Sequence, residues 1–266
     1  MNEADIGWIA ADWPAPPGVH AGCTTRQGGV SDAPYDSLNL GDHVGDVLGA
    51  VTKNRALLKQ HCSLPAEPVW LKQVHGNDVV DVGKTLPPAQ MGERGGVRGM
   101  SVSYPEADAS YSHHSGVVCA VMTADCLPIL LCDKEGSVVA AVHAGWRGLA
   151  DGVIEATLLH MEISASKLMA WLGPAIGPRV FEVGDEVRER FVSADQNAVE
   201  AFKPSRQGRW LADLYQLARQ RLVEFGVRDV YGGHWCTYID KARFYSYRRD
   251  GVTGRMASLI WLGADR

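Results

Sequence analysis

Apolar residues are concentrated in short runs in the middle of the chain. Residues 117–123, 128–132 and 137–143 are almost entirely apolar and rich in valine and leucine, and the polar segment 133–136 separates the last two. Runs of this length and composition predict buried strands joined by a turn. Similar runs predict further strands over residues 68–75, 77–82, 167–174 and 229–238.

Amphipathic segments lie between these runs. Over residues 213–225, leucines recur at helical spacing on one side of the chain, which predicts an amphipathic helix. Further helices are predicted over residues 46–60, 149–162 and 182–193. Because helices and strands alternate without a strict β-α-β repeat, the pattern predicts an α/β or α+β fold with mixed sheets. No linker is visible, so we expect a single domain over residues 1–266, with a mobile loop over residues 83–100.

Composition narrows the class of protein without naming a function. The 266 residues are 46% hydrophobic, which is enough for a large core. A net charge of -5 argues against a general nucleic-acid or membrane-surface binder. The acidic N-terminus lacks the apolar region of a secretory signal, and no stretch is long enough to span a membrane. Six cysteines without a CxxC pair indicate reduced thiols in the cytoplasm.

Candidate metal ligands lie where apolar runs end. Cys126 follows one run, His143 ends a neighbouring run, and His75 lies upstream in a Gln-Val-His-Gly segment. Neighbouring strands would bring the first two to one end of a sheet, and two His with one Cys suit a catalytic metal site that keeps one position open. Taken singly, each residue also fits a structural histidine or an apolar filler. A metal-free site with Cys126 as the nucleophile and a histidine as its base remains open as well.

Polar residues around these ligands suggest further roles. Asp125 adjoins Cys126, so it either orients the metal site or acts as a general acid/base. Arg26 and Ser31 flank a glycine pair that allows close approach of an anion, and Arg147 lies in a glycine-flanked turn at a predicted helix start. The alternative for Arg26 is an exposed arginine that caps an ordinary turn, and the glycine pair by itself is weak evidence for an anion site. A multicopper oxidase would need several His-x-His pairs, and the chain has none.

Six ordered motifs make the sequence recognisable. The chain resembles the YfiH-like family, which is also described as a laccase-domain or polyphenol-oxidase family, as purine nucleoside phosphorylases, and as including the peptidoglycan editing factor. This resemblance implies a single α/β-type domain with β-sheets packed between helical layers, and a metal site formed by His75, Cys126 and His143. The motifs are residues 24–31 (TTRQGGVS), 39–46 (NLGDHVGD), 73–76 (QVHG), 123–128 (TADCLP), 142–148 (VHAGWRG) and 244–249 (FYSYRR).

The resemblance also implies enzymatic activities. It leads us to expect a zinc enzyme, with copper as a possible metal, that phosphorolyses adenosine, inosine, guanosine or methylthioadenosine and deaminates adenosine. The alternatives are an amidase that removes L-Ser from UDP-MurNAc-L-Ser and, with less support, a copper polyphenol oxidase or a metal-dependent binding protein. The sequence leaves the oligomeric state open. The residues expected to serve catalysis are Asp125, Cys126 and Arg26, and those expected to bind substrate are Ser31, Asn39, Gln73 and Arg147.

Overall fold

The computed structural model describes residues 6–85 and 104–263. The strands of these residues are β1 (Trp8–Ala10), β2 (Val19–Thr24), β3 (Val79–Asp81), β4 (Ala109–Ser112), β5 (Val118–Thr123), β6 (Leu127–Asp133), β7 (Val139–Ala144), β8 (Leu168–Leu172), β9 (Glu182–Gly184), β10 (Phe202–Pro204), β11 (Arg209–Ala212), β12 (Asp229–Gly232) and β13 (Met256–Leu262). The helices are α1 (Leu48–His61), α2 (Val82–Thr85), α3 (Trp146–Ala150), α4 (Val153–His160), α5 (Asp185–Val192), α6 (Leu214–Glu224) and α7 (Tyr247–Asp250), with 3-10 turns at Ala165–Lys167 and Gln196–Ala201.

Two large sheets and one small sheet organise the described strands. The largest has six strands in the order β12-β8-β6-β7-β4-β3, with parallel pairing of β12 with β8 and of β3 with β4. A four-stranded antiparallel sheet has the order β1-β2-β13-β5, and β10-β11-β9 form a small antiparallel sheet. The six-stranded sheet is mixed, as the sequence predicts.

Alternating side chains on the central strands divide the core into layers. On β5, Val118 and Ala120 pack in one cluster with Leu58 of α1, whereas Cys119 and Val121 pack in another cluster between the two large sheets. A third cluster joins the opposite face of the six-stranded sheet to α3, α4 and α6. The period of two along a strand therefore produces a helix, two sheets and a second helical layer. This confirms the expected α/β fold with sheets between helical layers.

Several predicted elements differ in extent or in pairing. The prediction of a strand over residues 68–75 is wrong, because this segment forms only isolated β-bridges, from Val69 to Cys119 and from Lys72 to Glu106. The helix expected over residues 149–162 is interrupted because Gly152 adopts the left-handed conformation, with φ 90°. The helix expected over residues 182–193 begins as β9 and becomes helical at Asp185.

The other predicted segments agree with the structure more closely. The helices expected over residues 46–60 and 213–225 correspond to α1 and α6, and the strand expected over residues 167–174 corresponds to β8. The strand expected over residues 229–238 is shorter, because β12 ends at a pair of positive-φ glycines, Gly232 and Gly233. Most of the loop expected over residues 83–100 lies outside the described residues, as do the ends of the predicted 1–266 domain. No helix in the described part of the chain is long and apolar enough to cross a membrane.

Candidate metal centre

The register of β6 and β7 brings two of the predicted ligands together. Pro128 pairs with His143 and Leu127 pairs with Ala144, so Cys126 enters β6 beside the end of β7. Leu127 and Ala144 contribute to the core on the helical side of the sheet. Because side chains alternate along strands, Cys126 and His143 project from the other face, towards the four-stranded sheet. The sequence-based expectation that both residues meet at one sheet end therefore holds, although the paired strands are β6 and β7 rather than β5 and β7.

The third ligand, His75, comes from the loop before β3. Its backbone is left-handed, with φ 63°, and its side chain is exposed. Gln73 anchors this loop: its side-chain amide donates to the carbonyl of Met122 at 2.9 Å, and its side-chain oxygen accepts from the Met122 N–H at 2.8 Å. The amide group of Gln73 thus completes the hydrogen bonding at the end of β5, and its predicted role in binding substrate stays a prediction.

The three side chains form a compact group. In the described residues, His75, Cys126 and His143 are the one set of three or more His, Cys, Asp or Glu placed to share a metal, with ligand atoms all within 4.8 Å of one another. Cys126 Sγ lies 3.8 Å from His75 Nε2, close to the separation of about 3.5 Å that tetrahedral zinc bond lengths require. The two imidazole rings are 4.8 Å apart and meet edge to face. Two His and one Cys at these distances fit a zinc-type site, and three protein ligands leave a fourth position for water or substrate.

A buried carboxylate that the sequence reading missed organises two of these ligands. Asp108 Oδ1 lies 2.7 Å from His143 Nδ1, and its oxygens also accept the N–H groups of Val74, His75 and Gly76 at 2.7–3.1 Å. Since an ionised carboxylate can only accept, His143 donates from Nδ1, so Nε2 is the nitrogen that is left to bind a metal. The sequence feature that could have indicated Asp108 is its position as an acidic residue directly before β4, a strand whose residues are all buried.

Charge stabilises a thiolate at Cys126. Burial opposes ionisation, but the charge and hydrogen bonds of His143 and His75 outweigh it and lower the pKa of Cys126 to about 6. Burial likewise opposes the imidazolium of His143, whereas Cys126 and Asp108 raise its pKa to about 9. Burial also opposes ionisation of Asp108, yet the hydrogen bond and charge of His143 lower its pKa. The metal-free site thus favours a thiolate, the form in which cysteine binds a metal.

Two glycines leave room for the ligands. A Cβ added at Gly145 would lie 2.9 Å from Cδ2 of His75 and 3.1 Å from Sγ of Cys126. A Cβ added at Gly148 would lie 2.5 Å from the carbonyl oxygen of Gly76. The spacing of the glycines in residues 145–148 therefore lets the start of α3 pack directly against the His75 loop.

Asp125 connects the Cys126 turn to the C-terminal part of the chain. Its backbone has φ 96° and its carboxylate is buried. The carboxylate oxygens accept hydrogen bonds from Thr237 Oγ1 at 2.6 Å, Ser246 Oγ at 3.0 Å and the backbone N–H of Arg248 at 2.7 Å. Both oxygens thus already act as acceptors. The predicted role as a general acid/base stays a prediction, and the contacts suit the orienting role that the sequence also allowed.

The predicted anion-binding residues near the N-terminus belong to a network of loops. Arg26 donates to the carbonyls of Asp36 and Lys241 and pairs with the Asp36 carboxylate at 3.1 Å. Ser31 donates to Asp46 at 2.6 Å, and Asn39 also donates to Asp46, at 2.9 Å. Their substrate-binding roles stay predictions, and the contacts described here hold residues 26–46 together.

Two arginines lie beside the ligand-bearing turns: Arg147 follows His143 in sequence, and Arg255 reaches the Cys126 turn because β13 pairs with β5. Arg147 is exposed and stacks over the ring of its neighbour Trp146 at 4.5 Å. Arg255, which the sequence reading did not select, immediately precedes β13 and is partly buried. Burial lowers its pKa, while the charges of Cys126 and Asp125 act in the opposite direction. Its sequence signal was an arginine placed directly before an apolar strand.

Comparisons with known proteins agree over nearly the whole chain. A family model described as multi-copper polyphenol oxidoreductase laccase matches residues 20–263. The chain is 53% identical to a purine nucleoside phosphorylase of Pseudomonas aeruginosa over 258 residues, covering 96% of this chain and 98% of that protein. It is 52% identical to purine nucleoside phosphorylase YfiH of Escherichia coli over 254 residues, with the same coverage.

Solved structures share the fold. The crystal structure of protein NMB0706 from Neisseria meningitidis superposes with a TM-score of 0.87 at 48% identity, covering 97% of this chain and 100% of that chain. YlmD from Geobacillus stearothermophilus superposes with a TM-score of 0.86 at 32% identity, covering 97% of each chain. The chain therefore belongs to the YfiH-like, laccase-domain family.

Proposed function

We propose that this protein is a zinc-dependent purine nucleoside phosphorylase of the cytoplasm. The observation that carries the proposal is the open His75, Cys126 and His143 group in a chain that is 53% and 52% identical, over 96% of its length, to proteins named purine nucleoside phosphorylase. The donor set supports zinc, because imidazole and thiolate ligands with one open position are typical of catalytic zinc. Its substrates are then a purine nucleoside and inorganic phosphate, with no nucleic acid or membrane as a partner.

The proposed reaction exchanges a C–N bond for a C–O bond. A phosphate oxygen forms a bond to C1′ of inosine while the C1′–N9 bond breaks, and the electron pair leaves with the purine. The purine takes up a proton to give hypoxanthine, and the sugar becomes ribose 1-phosphate. Catalysis then requires the phosphate to be held beside C1′ and the charge that develops on the leaving purine to be stabilised.

Side chains around the His75, Cys126 and His143 group orient these residues for binding a metal. Asp108 keeps a proton on Nδ1 of His143 through their 2.7 Å hydrogen bond, which leaves Nε2 free as a ligand. Cys126 contributes a thiolate, and the Gln73 contacts to Met122 hold the His75 loop in place. When bound, zinc supplies a Lewis acid at the open position. Asp125 stands next to the ligands as an orienting residue, and a further role as a general acid/base remains part of the proposal.

Two other activities remain linked to the same residues. Adenosine deamination is a prediction that the ligand set supports, because zinc deaminases use His and Cys ligands with one position for water. The cell-wall alternative, removal of L-Ser from UDP-MurNAc-L-Ser, would use the same open position. The description of the matching family names copper. A multicopper site needs several clusters of histidine ligands, whereas the described residues contain one cluster that could hold a metal, so copper oxidation has less support.

The decisive experiment measures products with purified, zinc-loaded protein. We expect hypoxanthine and ribose 1-phosphate from inosine only when phosphate is present, and loss of this activity together with zinc in the Cys126→Ser variant. A Cys62→Ser variant is the matched control, because Cys62 ends α1 and belongs to none of the ligand groups. Full activity of the Cys126→Ser variant, or no phosphate-dependent product, would refute the proposal. Serine release from UDP-MurNAc-L-Ser under the same conditions would favour the amidase instead.

A further inference from the structure

Arg255 lies beside the turn that carries Cys126. Met256 pairs with Thr123 at the end of β5, so Arg255 lies one step further along, where the chain enters residues 124–126. Its backbone N–H donates to Asn39 Oδ1 at 2.9 Å, and its Cγ lies against Gly41, 2.9 Å from where a Cβ would be. The Asn39 segment, which was predicted to bind substrate, therefore positions this arginine.

The guanidinium of Arg255 is only partly satisfied. Nη1 donates to the carbonyls of Thr253 and Gly254, both at 3.0 Å. Within residues 6–85 and 104–263, Nε and Nη2 have no hydrogen bond, and no carboxylate forms an ion pair with this side chain. The remaining edge, Nε with Nη2, is the planar fork that binds an oxyanion through two parallel hydrogen bonds.

Nearby groups leave this fork available. The Asp125 carboxylate, whose charge acts on Arg255, is already bound by Thr237, Ser246 and the backbone of Arg248. The hydroxyl of Thr253 is buried and also lacks a partner among the described residues. Neither Nε nor Nη2 of Arg255 is among the described buried atoms that lack a partner, so this edge is reachable from solvent and an oxyanion can approach it.

We propose that Arg255 is the residue that binds the inorganic phosphate co-substrate beside the His75, Cys126 and His143 group. Two other arginines fit this task less well. Arg26 is occupied by Asp36 and Lys241, and Arg147 is exposed and stacked on Trp146. Arg255 adjoins the ligand-bearing turn and presents an unused fork. The inference rests on the proposed phosphorolysis and names the residue that would hold the attacking oxyanion.

The test compares three variants of the zinc-loaded protein. Arg255→Gln removes the charge, Arg255→Lys keeps the charge but loses the fork, and Arg228→Gln is the matched control. Arg228 is exposed and precedes β12 at the end of the six-stranded sheet opposite Cys126, as the parallel register of β12 and β8 shows. Circular dichroism and zinc content establish that each variant is folded and loaded.

Steady-state kinetics and calorimetric titration with inorganic phosphate give the readouts. Loss of a charged, two-pronged contact predicts that KM for phosphate and Kd for phosphate rise by about 10- to 100-fold in Arg255→Gln. The KM for inosine should change much less, Arg255→Lys should be intermediate, and Arg228→Gln should match the wild type. If Arg255→Gln binds phosphate as the wild type does, the inference is overturned.

Titration separates this inference from the proposed function. If the wild type binds phosphate through Arg255 but releases no purine, phosphorolysis fails as the activity and the anion site stands. If the wild type releases purine and Arg255→Gln keeps the wild-type KM for phosphate, phosphorolysis stands and Arg255 is not the phosphate residue. If the wild type neither binds phosphate nor releases purine, both are overturned.

Discussion

The Asp108→Asn substitution tests whether one buried carboxylate holds the metal site together. Asp108 Oδ1 accepts from His143 Nδ1 and from the His75 N–H, and Oδ2 accepts from the N–H groups of Val74 and Gly76. Asparagine has a single acceptor oxygen, and its NH₂ group can only donate. In either orientation of the amide, two of the four donors therefore face another donor.

The expected cost follows from these contacts. A buried donor without an acceptor costs about 1–3 kcal/mol, and water can satisfy part of the exposed His75 loop, so we expect Asp108→Asn to lower the free energy of unfolding by about 2–4 kcal/mol. The loss of orientation at His143 and His75 should weaken zinc binding by about 10- to 100-fold, as is typical when the residue supporting a metal-bound histidine is removed.

Competition with a chromophoric chelator measures zinc affinity, and urea unfolding of the metal-free protein measures stability. Asp78→Asn is the matched control, because Asp78 is exposed and it is its backbone carbonyl that accepts the N–H groups of Asp108 and Ala109. It should change neither quantity. Zinc affinity of the wild-type magnitude in Asp108→Asn would show that this carboxylate does not organise the ligands.

Three further outcomes are expected. Gly145→Ala should weaken zinc binding by about 10-fold or more, because the new Cβ would lie 3.1 Å from Cys126 Sγ. The fold should be kept, since φ is -63° at this position, and an unchanged zinc affinity would contradict the prediction. In metal-free protein, the rate at which iodoacetamide modifies Cys126 should rise with a midpoint near pH 6, since the pKa of Cys126 is about 6, whereas Cys132, with a pKa of about 12, should stay a thiol. Peptide mapping that gives Cys126 a midpoint near pH 9 would refute the thiolate. Leu131→Ala should cost about 2–5 kcal/mol in urea unfolding, because this side chain of β6 is fully buried, and a smaller loss would mean that the core closes around the gap.

Local sequence patterns predicted most elements and the pairing of strands that a short turn joins. The apolar runs that became β5, β6 and β7 were recognisable because each is long and continuous, as fully buried strands are. The turn that pairs β6 with β7 was also predicted, but the partner of β5 was not, since β5 pairs with β13, more than a hundred residues away. Register between distant strands depends on packing of whole layers, which a local pattern does not contain.

The candidate metal ligands were easier to predict than the residues that contact them. Cys126 and His143 lie where apolar runs end, and this position in the pattern is what indicated them as candidate ligands. Asp108 and Arg255 precede β4 and β13 as single charged residues, and they come close to the ligand-bearing turns only when these strands pair with β7 and β5. The substrate-binding role of Gln73 stays a prediction, and its contacts with the backbone of Met122 could not be read from the local sequence because they join two distant segments.

Asp125 offers the last prediction, because its two possible roles have different signatures. An orienting carboxylate that accepts from Thr237, Ser246 and the Arg248 backbone should matter for structure at every pH. We therefore expect Asp125→Asn to lower zinc affinity and thermal stability, while the pH dependence of kcat in its zinc-loaded form keeps the wild-type shape. A general acid/base would instead remove one limb of the pH profile when it is replaced. Loss of that limb with zinc fully bound would assign the proton transfer to Asp125 and refute a purely orienting role.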